Sequence, residues 1–223
     1  MAFYKLVWRG FYFLLQLTLM KKIKTNYLFV GLGNPGVEYE NSRHSIGRNI
    51  LLSLQKKSVG EIEVKDWRNE KKLKAQLADG KLGSNKFRLL IPNNFMNNSG
   101  GSVKPLVKTK AEAHNVVVIH DDVDLALGTI KICYNRGSGG HKGVESVVKA
   151  LKTNEFIRIK IGISPSTPSG KTKKPSGDKV VDFVIANFKP AEQDELKKII
   201  KRAKEIVVSL VENGLERTMN SFN

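Results

Sequence analysis

The chain has 223 residues, 40% of them hydrophobic and 26% charged, which fits one well-buried globular domain and is short for two. Its 38 lysines and arginines against 21 acidic residues give a formal charge of +17, which favours a polyanionic partner, with a solvated lysine-rich surface as the alternative. The single cysteine, Cys133, excludes a disulfide framework and a cysteine-based metal cluster, and the four histidines include no H-x-x-x-H pair.

Residues 1–25 are predicted to be an extension in front of the domain. MAFYKLVWRGFYFLLQLTLM is aromatic and apolar, has no acidic residue, and is too short and too interrupted to span a bilayer. It also lacks a small-residue cleavage site after the apolar run, which argues against a secretory signal. An organelle transit peptide is one interpretation. We favour the other, that translation begins at Met20 and most of the extension is absent from the mature protein.

Residues 26–223 show strand patterns alternating with helix patterns. The predicted elements are a strand at 26–33, a helix at 45–57, a hairpin of strands 74–79 and 87–91, a helix at 99–107, strands 116–119 and 129–134, a helix at 144–151, a strand at 156–163, and helices at 180–188 and 191–213. This alternation predicts a single α/β domain in which a mixed, mostly parallel, twisted sheet has helices on both faces. A basic low-complexity loop is expected over residues 164–177.

The loop after the first strand, GLGNPG, has the glycine spacing of a dinucleotide-binding loop. The residues that follow Gly36 are too polar for a core-facing helix, and no acidic residue stands about 20 positions on, where it would bind a ribose. Asn34-Pro35-Gly36 is instead predicted to be a turn that presents the Asn34 side chain at the carboxyl end of the strand.

Polar clusters follow the predicted strands, at residues 34–44, at Asn97, at 120–122 and at 141–142. Such segments can converge at one edge of a sheet, where a histidine and a carboxylate together act as a general base. Asparagine amides can hold a peptide unit and polarise a carbonyl. Since no G-x-S-x-G elbow is present, these residues favour direct activation of water. Each also has a structural interpretation: a surface turn for His44, a helix cap for Asn97, and a solvated strand end for the aspartates.

Taken in chain order, these motifs resemble the bacterial peptidyl-tRNA hydrolase family. GLGNPGVEYENSRHSIG resembles its N-terminal signature, IPNNFMNNSG its phenylalanine-methionine-asparagine segment, VIHDDVDLALGTIKI its histidine-aspartate strand, and RGSGGHKGVESV its glycine-rich loop. FIRIKIGI and the C-terminal helix complete a match over about residues 26 to 215. The resemblance implies hydrolysis of the ester between a peptide and the 3′ end of tRNA, without a cofactor or a metal.

The resemblance also implies roles for individual residues. His44 would accept a proton from water, Asp121 would keep His44 basic, and Asn34 would distinguish blocked from free aminoacyl-tRNA. It further implies contacts with the terminal adenosine and the peptide from Tyr39, Phe95, Met96, Asn97, His141 and Lys142. We therefore expect a cytoplasmic monomer whose partner is the acceptor stem and 3′ end of peptidyl-tRNA.

The chain departs from the family pattern at four places. Lys142 replaces the usual asparagine after His141, and Ser138 replaces a histidine found in some members. Asp122 stands where glutamate is frequent, and one of two basic positions associated with the tRNA 5′-phosphate is Cys133, whereas the other remains basic as Lys160. Other basic residues could compensate: Lys131, Arg136, Arg158 and the cluster at 171–174. The alternative function is a non-catalytic RNA-binding protein on the same fold, and a nicotinamide-dependent oxidoreductase is a distant third.

Overall fold

A computed structural model of the chain describes residues 26–56, 62–167, 169 and 171–223. The predicted extension at 1–25, with the proposed start at Met20, lies outside these residues and stays a prediction. In the part of the chain that is described, no helix is both long enough and apolar enough to cross a membrane.

Eight strands form one sheet within the described residues. The strands are β1 (Tyr27–Gly31), β2 (Ile62–Val64), β3 (Arg68–Glu70), β4 (Ala75–Leu82), β5 (Asn85–Pro92), β6 (Val116–Ala126), β7 (Ile130–Tyr134) and β8 (Ile157–Ser164). Their order is β2-β4-β5-β1-β6-β8-β7, and β3 also pairs with β4. The four central strands β5, β1, β6 and β8 are parallel, whereas β4 and β7 flank them in antiparallel pairing. The predicted mixed sheet with a parallel centre is confirmed.

Helices cover both faces of this sheet, as the alternating pattern predicted. They are α1 (Ile46–Lys56), α2 (Ser99–Val103), α3 (Lys110–Ala113), α4 (Lys142–Leu151), α5 (Lys179–Ile185) and α6 (Gln193–Phe222). Apolar residues of α1 and α6 join the core on one face, and those of α2 and α4 join the core on the other. All five residues of β1 are buried, because this strand lies at the centre of the sheet between the two helical layers.

Four predicted boundaries were wrong. The strand predicted at 116–119 continues to Ala126, because β8 pairs with it as far as Asp122 and again at Ala126 beyond a register shift. The two hairpin strands are longer than predicted and extend to Leu82 and Asn85. A two-residue turn joins them, in which Gly83 has a φ of 56°. The helix predicted at 99–107 ends at Val103 and continues as a 3₁₀ turn that contains Pro105. The helix predicted at 180–188 ends at Ile185. The predicted end of the last helix at residue 213 coincides with a break at Gly214, after which helix resumes to Phe222.

The glycines after β1 allow close packing rather than phosphate binding. A Cβ atom on Gly31 would lie 2.5 Å from the carbonyl oxygen of Gly47, so only glycine lets β1 approach the first turns of α1. Gly36 has a φ of 109°, a conformation that other residues rarely adopt, and it turns the chain directly after Asn34. The loop therefore fits the interpretation of a turn that presents Asn34.

The topology explains why the polar clusters meet. The segments after β1 and β5, together with the second half of β6, all lie at the carboxyl end of the parallel strands. The helix that follows β1 packs on one face, and the helices between β5 and β6 contribute to the other core. A crevice forms where neighbouring connections leave on opposite faces, and ligands bind there in open α/β sheets.

Candidate active site

A cleft of about 740 Å³ opens at this carboxyl edge. Eight of the nine residues expected at the site line it: Asn34, His44, Phe95, Met96, Asn97, Asp121, His141 and Lys142. The ninth, Tyr39, is half-buried in the turn before His44 and is not among the lining residues. A second groove of about 630 Å³, along β4 and β5, contains none of the nine residues.

His44 and Asp121 form a hydrogen-bonded pair at the base of the cleft. His44 lies in a 3₁₀ turn, Arg43–Ser45, that leads into α1, and Asp121 lies in the second half of β6. The Nδ1 atom of His44 is 2.8 Å from Oδ1 and 3.0 Å from Oδ2 of Asp121. A carboxylate accepts hydrogen bonds only, so Nδ1 carries the proton and Nε2 is left with a lone pair. In the described residues Nε2 has no hydrogen-bond partner, so it is available as a base.

The surroundings of the pair shift the pKa values of His44 and Asp121 in opposite directions. Burial lowers the pKa of His44, but the charge of Asp121 and the hydrogen bond to it outweigh burial and hold the pKa above the ordinary 6.5. Burial raises the pKa of Asp121, but the positive charge that His44 and His141 can take up, with their hydrogen bonds, depresses it far below its usual range. Asp121 is therefore a carboxylate at neutral pH.

Two further histidines surround this carboxylate. His141 Nε2 is 3.0 Å from Asp121 Oδ1, and the His141 ring packs against those of His44 and His120, with centroids 4.9 and 4.7 Å away. His120 is buried, its Nδ1 donates to the carbonyl oxygen of Asp121, and its Nε2 has no partner within the described residues. Burial, then the potential charge of His141, lowers the pKa of His120 well below 6.5, so His120 stays neutral.

Donor atoms of His44, Asp121 and His141 lie within 4.8 Å of one another, a spacing that could suit a metal ion. The protonation of His141 argues against this use. Its Nδ1 accepts hydrogen bonds from the backbone N–H groups of Gly143 and Val144, so its proton lies on Nε2, the atom that would have to bind the metal. The geometry favours a hydrogen-bonded network.

Asn34 and Asn97 bring amide groups to the same cleft. Asn34 Oδ1 accepts a hydrogen bond of 2.9 Å from the backbone N–H of Met96, which fixes the side chain and leaves its Nδ2 as the free donor. Of the two polar atoms of an amide side chain only the oxygen can accept from an N–H group, so this contact also decides the orientation of the Asn34 amide. Asn97 is exposed in the turn Met96–Asn98, and its side chain makes no hydrogen bond among the described residues. Both amides can therefore contact a bound molecule.

The opposite wall of the cleft is apolar, and the sequence did not predict its role. It consists of Val180, Val181, Val184 and Ile185 of α5. Val181 is 62% exposed, Ile185 39% and Phe95, across the cleft, 61%, so large apolar side chains face solvent beside the histidine–aspartate pair. Such patches are typical of binding grooves. The sequence offered one signal for this wall: Val181 and Ile185 are apolar residues four positions apart in a helix that follows a basic loop.

Arg43, which precedes His44, links this wall to the turn that carries His44. Its guanidinium donates to the backbone carbonyls of Ala186 and Asn187 and pairs with Glu192 at 2.7 Å. The same group stacks 4.7 Å from the ring centre of Phe183 in α5. Only 3% of Arg43 is exposed, so these contacts form away from solvent. The position of α5 and that of His44 are thus fixed by one side chain.

Replacing Arg43 with methionine should lower the free energy of unfolding by roughly 2–4 kcal/mol, because buried carbonyls and a carboxylate lose their charged donor. Denaturant unfolding followed by circular dichroism measures this change. The matched control is Arg68→Met, since Arg68 pairs with Glu70 and Asp79 but is 44% exposed. Equal effects of the two substitutions would contradict the anchoring role.

Three basic residues are paired with acidic groups. Lys160 of β8 forms an ion pair with Asp122, and Lys174 lies 2.7 Å from Asp124. Lys142, which lines the cleft, is exposed at the start of α4 and lies 3.2 Å from Glu145. The positive charge of these lysines is therefore partly balanced from within the chain.

The fold and the site define a single-domain α/β protein with a hydrogen-bonded histidine–aspartate pair at the carboxyl edge of its parallel strands. The model of the peptidyl-tRNA hydrolase family matches residues 28–223, and the chain belongs to this family.

Similar proteins agree with this assignment. A peptidyl-tRNA hydrolase from Alkaliphilus oremlandii is 36% identical over 198 residues, covering 88% of this chain and 99% of the relative. One from Prochlorococcus marinus is 38% identical over 195 residues, covering 87% and 94%. The crystal structure of peptidyl-tRNA hydrolase from Acinetobacter baumannii superposes with a TM-score of 0.75 at 31% identity, covering 90% of this chain and 95% of that one.

Proposed function

We propose that the protein hydrolyses the ester bond between a peptide and the 3′ end of tRNA by means of a water molecule activated by His44. The observation that carries this proposal is the free Nε2 of His44, with Nδ1 held by a buried carboxylate, beside two amide side chains in one cleft. The names of the relatives support the same substrate class.

The reaction follows from the groups in the cleft. His44 Nε2 takes a proton from water while the water oxygen adds to the ester carbonyl carbon, and Asp121 stabilises the resulting imidazolium. The amide of Asn97 donates to the oxyanion that develops on the carbonyl oxygen. When the bond to the ribose oxygen breaks, the imidazolium returns its proton to that oxygen. The products are a peptide carboxylate and a tRNA with a free 3′ hydroxyl group.

Asn34 accounts for selection of a blocked amino group. Its Oδ1 is occupied by Met96, so it presents only N–H donors to the substrate. A peptide carbonyl can accept from these donors, whereas a free ammonium group brings more donors and no acceptor. Sites that leave polar groups unpaired with the wrong substrate can discriminate by roughly 10⁴ in favourable cases.

The test is a single-turnover assay of N-acetyl-aminoacyl-tRNA against its unblocked counterpart. We expect rapid cleavage of the blocked ester and slow cleavage of the free one. Equal rates would contradict the role of Asn34. Binding of both RNAs without cleavage would instead indicate the non-catalytic RNA-binding alternative, to which Lys142 lends some support.

The variant Asn34→Asp should reduce kcat/KM for the blocked substrate by about 10²-fold and reduce it less for the unblocked one, because a carboxylate repels a carbonyl and attracts an ammonium group. Competition between the two labelled substrates measures the ratio. Asn93→Asp is the matched control, since Asn93 accepts from Arg48 through its Oδ1 and does not line the cleft. An unchanged ratio in Asn34→Asp would contradict the proposal.

Activity should rise with pH through the pKa of His44. The base must be neutral, and that pKa is held above 6.5 by Asp121, so the acid limb of kcat/KM should have its midpoint above 6.5. The stabilisation from the imidazolium–carboxylate pair has the opposite sign: it is present below 6.5 and is lost as pH rises through the pKa of His44. A pH–rate profile measures the first effect, and a midpoint below 6.5 would contradict the assignment.

We also propose that the substrate is held through the acceptor stem and 3′ end of tRNA, that the protein acts as a cytoplasmic monomer, and that it recycles tRNA from prematurely released peptidyl-tRNA. The charge of +17 supports a nucleic-acid partner. Shape, phosphates and the shared 3′ end are what different tRNAs have in common, so recognition is expected to be independent of sequence.

A further inference from the structure

His141 lies between the carboxylate of Asp121 and the amino end of α4. Its Nε2 is 3.0 Å from Asp121 Oδ1, and its Nδ1 accepts from the backbone N–H groups of Gly143 and Val144 at 3.1 and 3.3 Å. The side chain is 8% exposed. Both ring nitrogens of His141 therefore form hydrogen bonds within the protein. The resemblance implied a contact with substrate, and neither nitrogen is free to make one.

The backbone donors decide which nitrogen carries the proton. Two N–H groups point at Nδ1, so Nδ1 must hold a lone pair and the proton of the neutral ring lies on Nε2. His141 thus donates a hydrogen bond from Nε2 to Asp121.

Asp121 Oδ1 consequently accepts two hydrogen bonds, one from His141 and one, at 2.8 Å, from His44. We propose that His141 is a positioning residue of the hydrolytic centre: it couples the amino end of α4 to Asp121, fixes the orientation of the carboxylate toward His44 and shares its negative charge. This inference rests on the proposed function and adds a role that acts through Asp121 rather than through the substrate.

The groups around His141 are consistent with a tuning role. His120, from β6, contacts the ring but stays neutral, and Arg158 from β8 lies close enough to lower the pKa of His120 as well. On α4, Lys142 and Glu145 form an ion pair with each other, and Ser138 Oγ lies 3.4 Å from Glu145. Asp121 is therefore the acidic group that His141 contacts directly, and His44 is the titrating group that this contact affects.

The test is the variant His141→Phe, which keeps an aromatic ring of similar shape but removes both hydrogen bonds. We expect kcat to fall by about 10- to 100-fold with KM nearly unchanged, since a catalytic group loses its alignment while the substrate contacts remain. The acid limb of the pH–rate profile should move to higher pH, because an unshared carboxylate stabilises the imidazolium of His44 more strongly. His141→Gln, which can offer an acceptor and a donor, should restore part of kcat.

The matched control is His114→Phe, because His114 also pairs with a carboxylate, Glu155 at 3.0 Å, but is 48% exposed and does not line the cleft. A rise in KM with an unmoved pH profile would overturn the proposal and make His141 a substrate contact. So would a loss of activity that merely parallels a loss of folded protein.

A second readout does not depend on activity. Nitrogen-15 spectra of histidine-labelled protein should show the His141 proton on Nε2 and a His44 titration midpoint that moves to higher pH in His141→Phe. If the wild-type protein binds tRNA but cleaves no ester, the proposed function fails. These spectra still show whether His141 affects the titration of His44 through Asp121. An unshifted His44 midpoint, or a proton on His141 Nδ1, would overturn it.

Discussion

The variant His44→Ala is expected to lose turnover by about 10³-fold or more while it binds tRNA with nearly unchanged affinity, because the base disappears and the binding surfaces remain. The only hydrogen-bond partner of the His44 side chain among the described residues is Asp121. That carboxylate keeps the hydrogen bond from His141 in the variant, so the fold should survive. Single-turnover hydrolysis and a tRNA-binding titration measure the two quantities separately.

His114→Ala provides the control for removal of a histidine, since His114 is exposed and lies outside the cleft. Hydrolysis by His44→Ala at the wild-type rate would refute the assignment of the base. An equal loss of tRNA affinity and of turnover would show that His44 binds substrate rather than activating water.

Asp121→Asn should have an effect of similar size, about 10²- to 10⁴-fold in kcat, although it changes one atom. Asp121 Oδ1 accepts from both histidine rings, so the oxygen of the new amide can take its place and keep both hydrogen bonds. What the variant loses is the negative charge. The imidazolium that forms on His44 during the reaction is then no longer stabilised, and the pKa of His44 should fall.

Kinetics together with the nitrogen-15 spectrum of His44 test this expectation. Asp79→Asn is the control, because Asp79 also pairs with a cationic side chain, Arg68 at 2.8 Å, but lies on the surface of β4. If Asp121→Asn keeps most of its activity, or if the titration midpoint of its His44 does not fall, the proposed division of roles is wrong.

The sequence predicted the central layers of this fold because their patterns are local. Apolar runs such as YLFVG indicate a buried strand, and alternation such as that in FIRIKIGI indicates a half-buried one, regardless of their neighbours. The second strand is more deeply buried than its pattern indicated, since Arg158 is buried as well. Polar residues directly after such strands predicted the site, since parallel strands end at one edge. These inferences needed only the period of the pattern and the rule that ligands bind at carboxyl ends.

Elements that depend on distant partners were missed. β2 and β3 are only three residues long and contain charged side chains. They form because both pair with the edge of β4. The extension of β6 through HDDVDLA is similarly stabilised by pairing with β8 rather than by its own apolar content. Gly214 has the positive φ of a helix end, yet helix resumes and Asn223 binds the backbone of Ile132 in β7.

Within the site, residue type alone did not reveal how each group is used. The expected contact of His141 with substrate stays a prediction, and the sequence did not indicate that both of its ring nitrogens form hydrogen bonds within the protein. Arg43 resembles any basic residue in a surface turn until its guanidinium is seen under α5. The apolar wall depends on how α5 packs, and no strand or loop motif encodes that packing.

The pairing of Lys160 with Asp122 and of Lys174 with Asp124 has a consequence for turnover. A phosphate that bound to either ammonium group would have to displace the carboxylate that already pairs with it. Part of the electrostatic attraction provided by the net charge of +17 would be lost in each exchange. If RNA binds at these lysines, its affinity would therefore be lower than the net charge suggests, and the cleaved tRNA would dissociate more readily.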